Sequence, residues 1–111
     1  MTVTVKVLVP AQTANNTQST VYTATGVTAI IDKFTATNYS ANAATISVNL
    51  VTVSGSAGND NLIVKTKTLQ ASETYTFPEL VGHVLAPGGF ISTIAGTASA
   101  INIRVSGREV T

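Results

Sequence analysis

The chain has 111 residues, a length suited to one domain, with six basic and five acidic side chains and a formal net charge of +1. Charged residues are 10% of the chain, against roughly 25% in an average soluble domain, so it carries no basic field for a nucleic-acid backbone. A hydrophobic fraction of 44% excludes a disordered chain, and the absence of cysteine excludes a disulfide framework, a thiol nucleophile and Cys-ligated metal.

β-branched residues dominate: 14 Val, 8 Ile and 19 Thr. They favour strands and are restricted at χ1 in helices. Residues 2–9 (TVTVKVLV) alternate, with Val3, Val5, Val7 and Val9 on one face and Thr2, Thr4, Lys6 and Leu8 on the other. Pro10 ends this strand or confines it to an edge, because it supplies no N–H to a ladder. PAQTANNTQS, residues 10–19, is polar and aperiodic and reads as a loop or extended linker. A strand at 20–24 meets a turn at Gly26. Residues 27–37 form the longest β-like run, and their parity drifts at Asp32–Lys33, which predicts a bulge or a central strand. A turn at 38–43 leads to a strand at 44–53 and a Gly-, Ser- and Asn-rich loop at 54–61.

The strand expected at 62–69 carries Lys65 and Lys67 on one face, a common protection of a sheet edge. Residues 70–72 turn the chain into a strand at 73–77, closed by Pro78. Residues 79–85 are a helical turn or a short strand, and Ala86-Pro87-Gly88-Gly89 is a turn. Strands are expected at 90–95 and 98–105, with a tail strand at 108–110. Val48, Val64, Ile101 and Ile103 are the expected core. Strands without intervening helices imply antiparallel pairing. The predicted fold is an all-β, antiparallel β-sandwich of about eight strands, jelly-roll-like or immunoglobulin-like. Residues 1–19 read as an N-terminal strand and extended linker arm, and 20–111 as the sandwich domain.

Chemistry-bearing residues are few. His83 is the sole histidine, with Glu79 four residues before it. One imidazole and one carboxylate do not make a closed metal site. Asp32, Asp60, Glu73, Glu79 and Glu109 are the carboxylates, and no spacing among them suggests an acid–base pair. Asp60 in Gly-Asn-Asp-Asn resembles a fragment of a calcium loop without its remaining ligands, and an Asx turn is the simpler reading. No G-x-S-x-G elbow is present, and Gly88-Gly89 lacks the Lys and helix of a phosphate cradle. Arg104 and Arg108 are expected to pair with Glu109, Glu73 or Asp60, or with another chain. Catalytic, cofactor-binding and metal residues are therefore expected to be none. MTVTVKVLVP does not read as a signal peptide, and no run reaches the ~18 apolar residues of a spanning helix.

Three segments are similar to a pattern in small β-sandwich structural proteins of tailed bacteriophage virions. They are VYTATGVTAIIDKFTATNYSANAATISVNLV, LQASETYTF and VLAPGGFISTIAGTASAINIRVSGREV. The matching elements are the glycine turn at Gly26 and the long strand ending at Asn38. Leu69 with Ala71, Glu73 and Tyr75 follow, then Leu85 with Gly88, and the closing strand from Ser99 to Gly107. Thr25-Gly26-Val27 stands where the pattern has Pro-Ala-Gly, and residues 2–19 lie outside it. The resemblance implies a non-enzymatic virion protein, either a capsid decoration or cement protein or a neck or tail adaptor. It implies partners in the major capsid protein or other virion proteins and a homo-oligomer, a trimer first. Nucleic acid and membrane are not expected as partners. A carbohydrate- or surface-binding module is the further alternative, resting on the sandwich alone.

Overall fold

The computed structural model describes all residues, Met1–Thr111. Nine strands run in chain order: β1 Val3–Thr13, β2 Ser19–Thr23, β3 Thr28–Asn38, β4 Ala44–Val51, β5 Leu62–Leu69, β6 Thr74–Tyr75, β7 Val84–Leu85, β8 Phe90–Ala95 and β9 Ile101–Val110. One sheet has the order β1-β9-β3-β6, with β7 also on β3, and the other the order β2-β8-β4-β5. Every pairing is antiparallel.

The partners nest. β1 pairs β9, β2 pairs β8, β3 pairs β6 and β4 pairs β5. The chain is thus one long hairpin, with its tip between β4 and β5, wrapped into two facing sheets. This is the jelly-roll arrangement, and it excludes the immunoglobulin-like alternative. Its termini meet: Thr2 N–H donates to the Thr111 carbonyl at 3.3 Å, and Thr111 N–H donates back at 3.0 Å.

The core forms where alternation turns β-branched side chains inward. Ala29, Ile31, Phe34 and Ala36 of β3 face Ile46 and Val48 of β4, with Ile101, Ile103 and Val105 supplied by β9; all are buried. The expected core positions Val48, Val64, Ile101 and Ile103 are all among the buried residues. Phe77 extends the core edge-to-face, 5.1 Å from Phe34 and 4.8 Å from Tyr75 between ring centres. Lys67 then lies 4.4 Å from the centre of the Tyr75 ring, joining β5 of one sheet to β6 of the other. Asn38 ends β3 as a buried connector. Its amide donates to the carbonyls of Asn42 and Leu69 at 2.8 and 2.9 Å, while its oxygen accepts from Ser40 N–H and Oγ.

Several element bounds differ from expectation. β1 does not stop at Pro10. It continues to Thr13 as an edge strand, with irregularities between Val7 and Val9 and between Val9 and Gln12. The polar stretch 10–19 is therefore strand in its first part. β4 ends at Val51 rather than 53, and β6 keeps only Thr74–Tyr75 of the expected 73–77. Residues 98–105 and 108–110 are one strand, β9, running straight through Gly107. The parity drift at Asp32 is the expected bulge, between Ile31 and Lys33 opposite β9.

Candidate functional site

Each chemistry-bearing residue singled out in the sequence can now be placed. His83 is exposed, and only its backbone is engaged: its carbonyl accepts the Ile31 N–H at 3.0 Å and its N–H donates to Leu80. Glu79 turns to the Tyr75 hydroxyl, which donates to it at 3.1 Å, rather than to His83. Burial first, and the Glu79 carboxylate second, raise the Tyr75 phenol above its ordinary value. Glu73 accepts the Gln70 N–H at 2.7 Å and closes the turn before β6. Asp60 lies exposed in a 3-10 turn at Asn59–Asn61. Asn61 organises that loop instead, accepting from Gly58 N–H and donating to the Ser56 carbonyl. No three His, Cys, Asp or Glu side chains come together as metal ligands, and no ligand-sized pocket opens on the structure.

The arginines correct one expectation. Arg108 pairs with Asp32 across β9 and β3, through Nε at 3.0 Å and Nη2 at 2.9 Å, and not with Glu109, Glu73 or Asp60. This fork-on-carboxylate contact raises the guanidinium pKa further. Arg104 stands exposed on the same outward side of β9.

Two polar clusters were hidden from sequence reading. One covers the outward face of β4 and β8. Gln18 donates to Ser92 Oγ at 2.7 Å, and Asn49 donates to Asn61 Oδ1 at 2.7 Å and to the Gly58 carbonyl at 3.0 Å. It ties the chain before β2 and the 54–61 loop onto the sheet, and Asn49, buried in mid-strand, was its only signal. The second lies between the sheets. Glu109 points inward from β9, its side chain 15% exposed. It accepts from Tyr22 Oη at 2.5 Å and from Lys6 Nζ at 3.3 Å. The Tyr22 hydrogen bond holds the Glu109 carboxyl below the usual range against the opposing effect of burial, with Lys6 adding to it. Burial and the Glu109 carboxylate together push the Tyr22 phenol far up.

That second cluster explains a surface. Lys6 turns inward to reach Glu109, so Val3, Val5 and Val7 turn outward, at 51%, 83% and 38% exposed. Leu8 and Val9 are both buried at the bulge, which ends the outward run. Across the sheet, Val5 registers with Arg108, Arg108 with Ile30, and Ile30 with Val84, itself 58% exposed. One end of the outward side of the five-stranded sheet, with Val3, Val5, Val7, Ile30 and Val84, is thus an apolar patch crossed by the Arg108–Asp32 pair. Such a contiguous patch marks an interaction surface, and it is the candidate site. Set against protein-family models, characterised proteins and solved structures, the chain matches none.

Proposed function

We propose that this protein works by joining surfaces, as a non-enzymatic virion structural protein of the capsid-decoration or cement type. The observation that carries the joining role is the valine face: Val3, Val5 and Val7 stand in water on a strand whose alternation would serve equally to bury them. The chain as a whole is poor in charge, as a protein with a largely covered surface would be. The jelly roll is an architecture used by viral capsid domains and by lectins. The virion context comes from the sequence resemblance over residues 21–110.

The test is binding of the purified protein to heads that lack it, with copies per particle counted by mass. Saturation at a number set by the capsid lattice supports decoration. Saturation at a number set by the tail axis would move the protein to the neck or tail. No binding to any virion component, with binding to a glycan array instead, would replace the reading by the carbohydrate-binding one.

A further inference from the structure

The free edge of β1 leaves backbone groups as well as valines without partners. Thr2 and Thr111 exchange both backbone hydrogen bonds. In an antiparallel ladder such pairs alternate with pairs whose N–H and C=O point the other way. With Thr4 opposite Glu109 and Lys6 opposite Gly107, the even residues of this stretch bond to β9. The N–H and C=O of Val3, Val5 and Val7 therefore point to the free edge. Beyond Val7 the edge is closed by the bulge at Leu8–Val9 and by Pro10, both known protections against pairing. Before Val7 the only such device is inward-turned Lys6, and its ammonium is already held by Glu109.

We infer that two copies of this chain pair antiparallel through this edge, about a two-fold axis at Val5. In that register Val5 faces its own counterpart and Val3 faces Val7, all in the orientation that exchanges backbone hydrogen bonds. The outward row becomes valine against valine throughout. Lys6 faces Thr4, so no like charges stand opposite each other. A two-fold contact demands this self-complementarity, and the Val-Thr-Val-Lys-Val run supplies it; a foreign strand would find backbone groups there but no matching row. An edge this short buries less than the about 1,000 Å² of a stable complex, so the dimer is weak and forms at high local concentration. This pairing is two-fold, unlike the trimer expected from the resemblance, and it does not depend on the virion reading.

The experiment combines cross-linking with sedimentation equilibrium. The chain has no cysteine, so a Val5→Cys disulfide reports this contact alone. Facing Cα atoms in a hydrogen-bonded pair lie about 5.5 Å apart, within disulfide reach. Val5→Cys is expected to form covalent dimers far faster than Val3→Cys, whose counterpart is Val7. Wild type should show a concentration-dependent dimer, and Val5→Lys should weaken it about tenfold or more by facing like charges. An equimolar mixture of Val5→Lys and Val5→Glu should restore it. Val5 is 83% exposed, so the far-UV spectrum and melting curve of each variant should match wild type. A wild type that stays monomeric at the highest concentration reached, as it would if the edge served a foreign strand, overturns the inference. So does cross-linking of Val3→Cys as fast as Val5→Cys, or association indifferent to Val5→Lys.

Discussion

Gly107 is the tightest point between β9 and its neighbours, which makes Gly107→Ala the sharpest probe of the register. It sits opposite Lys6 of β1 and Ile31 of β3, just before the β3 bulge. A methyl group there would land on the Ile30 carbonyl oxygen, 3.2 Å from the Ile30 carbonyl carbon and 2.8 Å from Leu8 Cδ1. The Leu8 tip can move aside. Ile30 cannot, because it is backbone of a strand held by β9 on one side and by β7 on the other. Overpacking of this kind costs about 1–3 kcal/mol. Displacing the Ile30 carbonyl from its surroundings adds about 1–3 kcal/mol for a poorly satisfied acceptor. Alanine returns only about 0.4–1 kcal/mol by restricting the unfolded chain. The net loss is about 3 kcal/mol, or a fall of roughly 10–20 °C in Tm for a domain of this size. Thermal melting followed by circular dichroism measures it, with Gly58→Ala as the control. At Gly58 the nearest atom to an added methyl is Asp60 Oδ1 at 3.3 Å and the backbone is extended, so a change within about 0.5 kcal/mol is expected. If Gly107→Ala were equally silent, β9 could not run this close to Ile30, and the pairing of Ile31 with Gly107 would be wrong.

Thr93 Oγ1 is buried in the core without a hydrogen-bond partner, so Thr93→Val should raise stability by about 1 kcal/mol, seen as a higher urea midpoint at unchanged slope. Thr66 holds a left-handed φ of 45° within β5, its N–H donated to Ser47 Oγ at 2.8 Å; Thr66→Gly should gain about 0.5–1 kcal/mol in the same assay. Ile101→Ala and Ile103→Ala, both in the core, should each lose about 2–5 kcal/mol, and a loss below about 0.5 kcal/mol at both would displace β9 from the interior. Glu109 has its carboxyl pKa lowered in the folded state, chiefly by the Tyr22 hydrogen bond. Its contribution is then complete above the ordinary value of about 4.3 and is lost as pH falls through the lower folded value. Tyr22→Phe should accordingly destabilise the protein clearly near neutral pH and progressively less as pH falls below the ordinary carboxylate value of about 4.3, in urea titrations across that range; a loss independent of pH would remove the charged hydrogen bond from the explanation.

What the sequence made legible is what depends on neighbours along the chain. β5 and β8 fall on their expected residues, 62–69 and 90–95, because an alternating run between turn signals is a local property. Asp32 disturbed the parity of β3 visibly, and the bulge is there. The nesting of β1 with β9 and β2 with β8 was not legible, since those partners lie at opposite ends of the chain and all share one pattern. Nor was the strand beyond Pro10. Proline was read correctly as an edge residue, but the edge continues past it because the register shift between Val9 and Gln12 takes Pro10 out of the paired positions. The partly buried polar cluster on β4 and β8 drew Gln18 from a stretch that reads as linker, and nothing local foretold its contact with Ser92, more than seventy residues away.

The candidate site was legible as residues and not as a surface. Val3, Val5, Val7 and Val9 share a face by parity, and alternation alone gives no reason to turn them from the core. Two distant facts decide it. Glu109 lies inward on β9, where a carboxylate left without a partner would be costly, and Lys6 and Tyr22 meet it from two directions. The extra residue at Leu8 then lets Leu8 and Val9 both enter the core while Lys6, half exposed, stays on the Glu109 side of the strand. Because strand side chains repeat every second residue, a strand one residue shorter at this bulge would send Val3, Val5 and Val7 inward or strand Val9 outside. The bulge thus separates two uses of β1: Leu8 and Val9 at its middle enter the core, and the residues before them leave valines and free backbone groups on the surface. The exposed face therefore follows from satisfying one inward charge, which ties the joining surface to the Lys6–Glu109–Tyr22 cluster behind it.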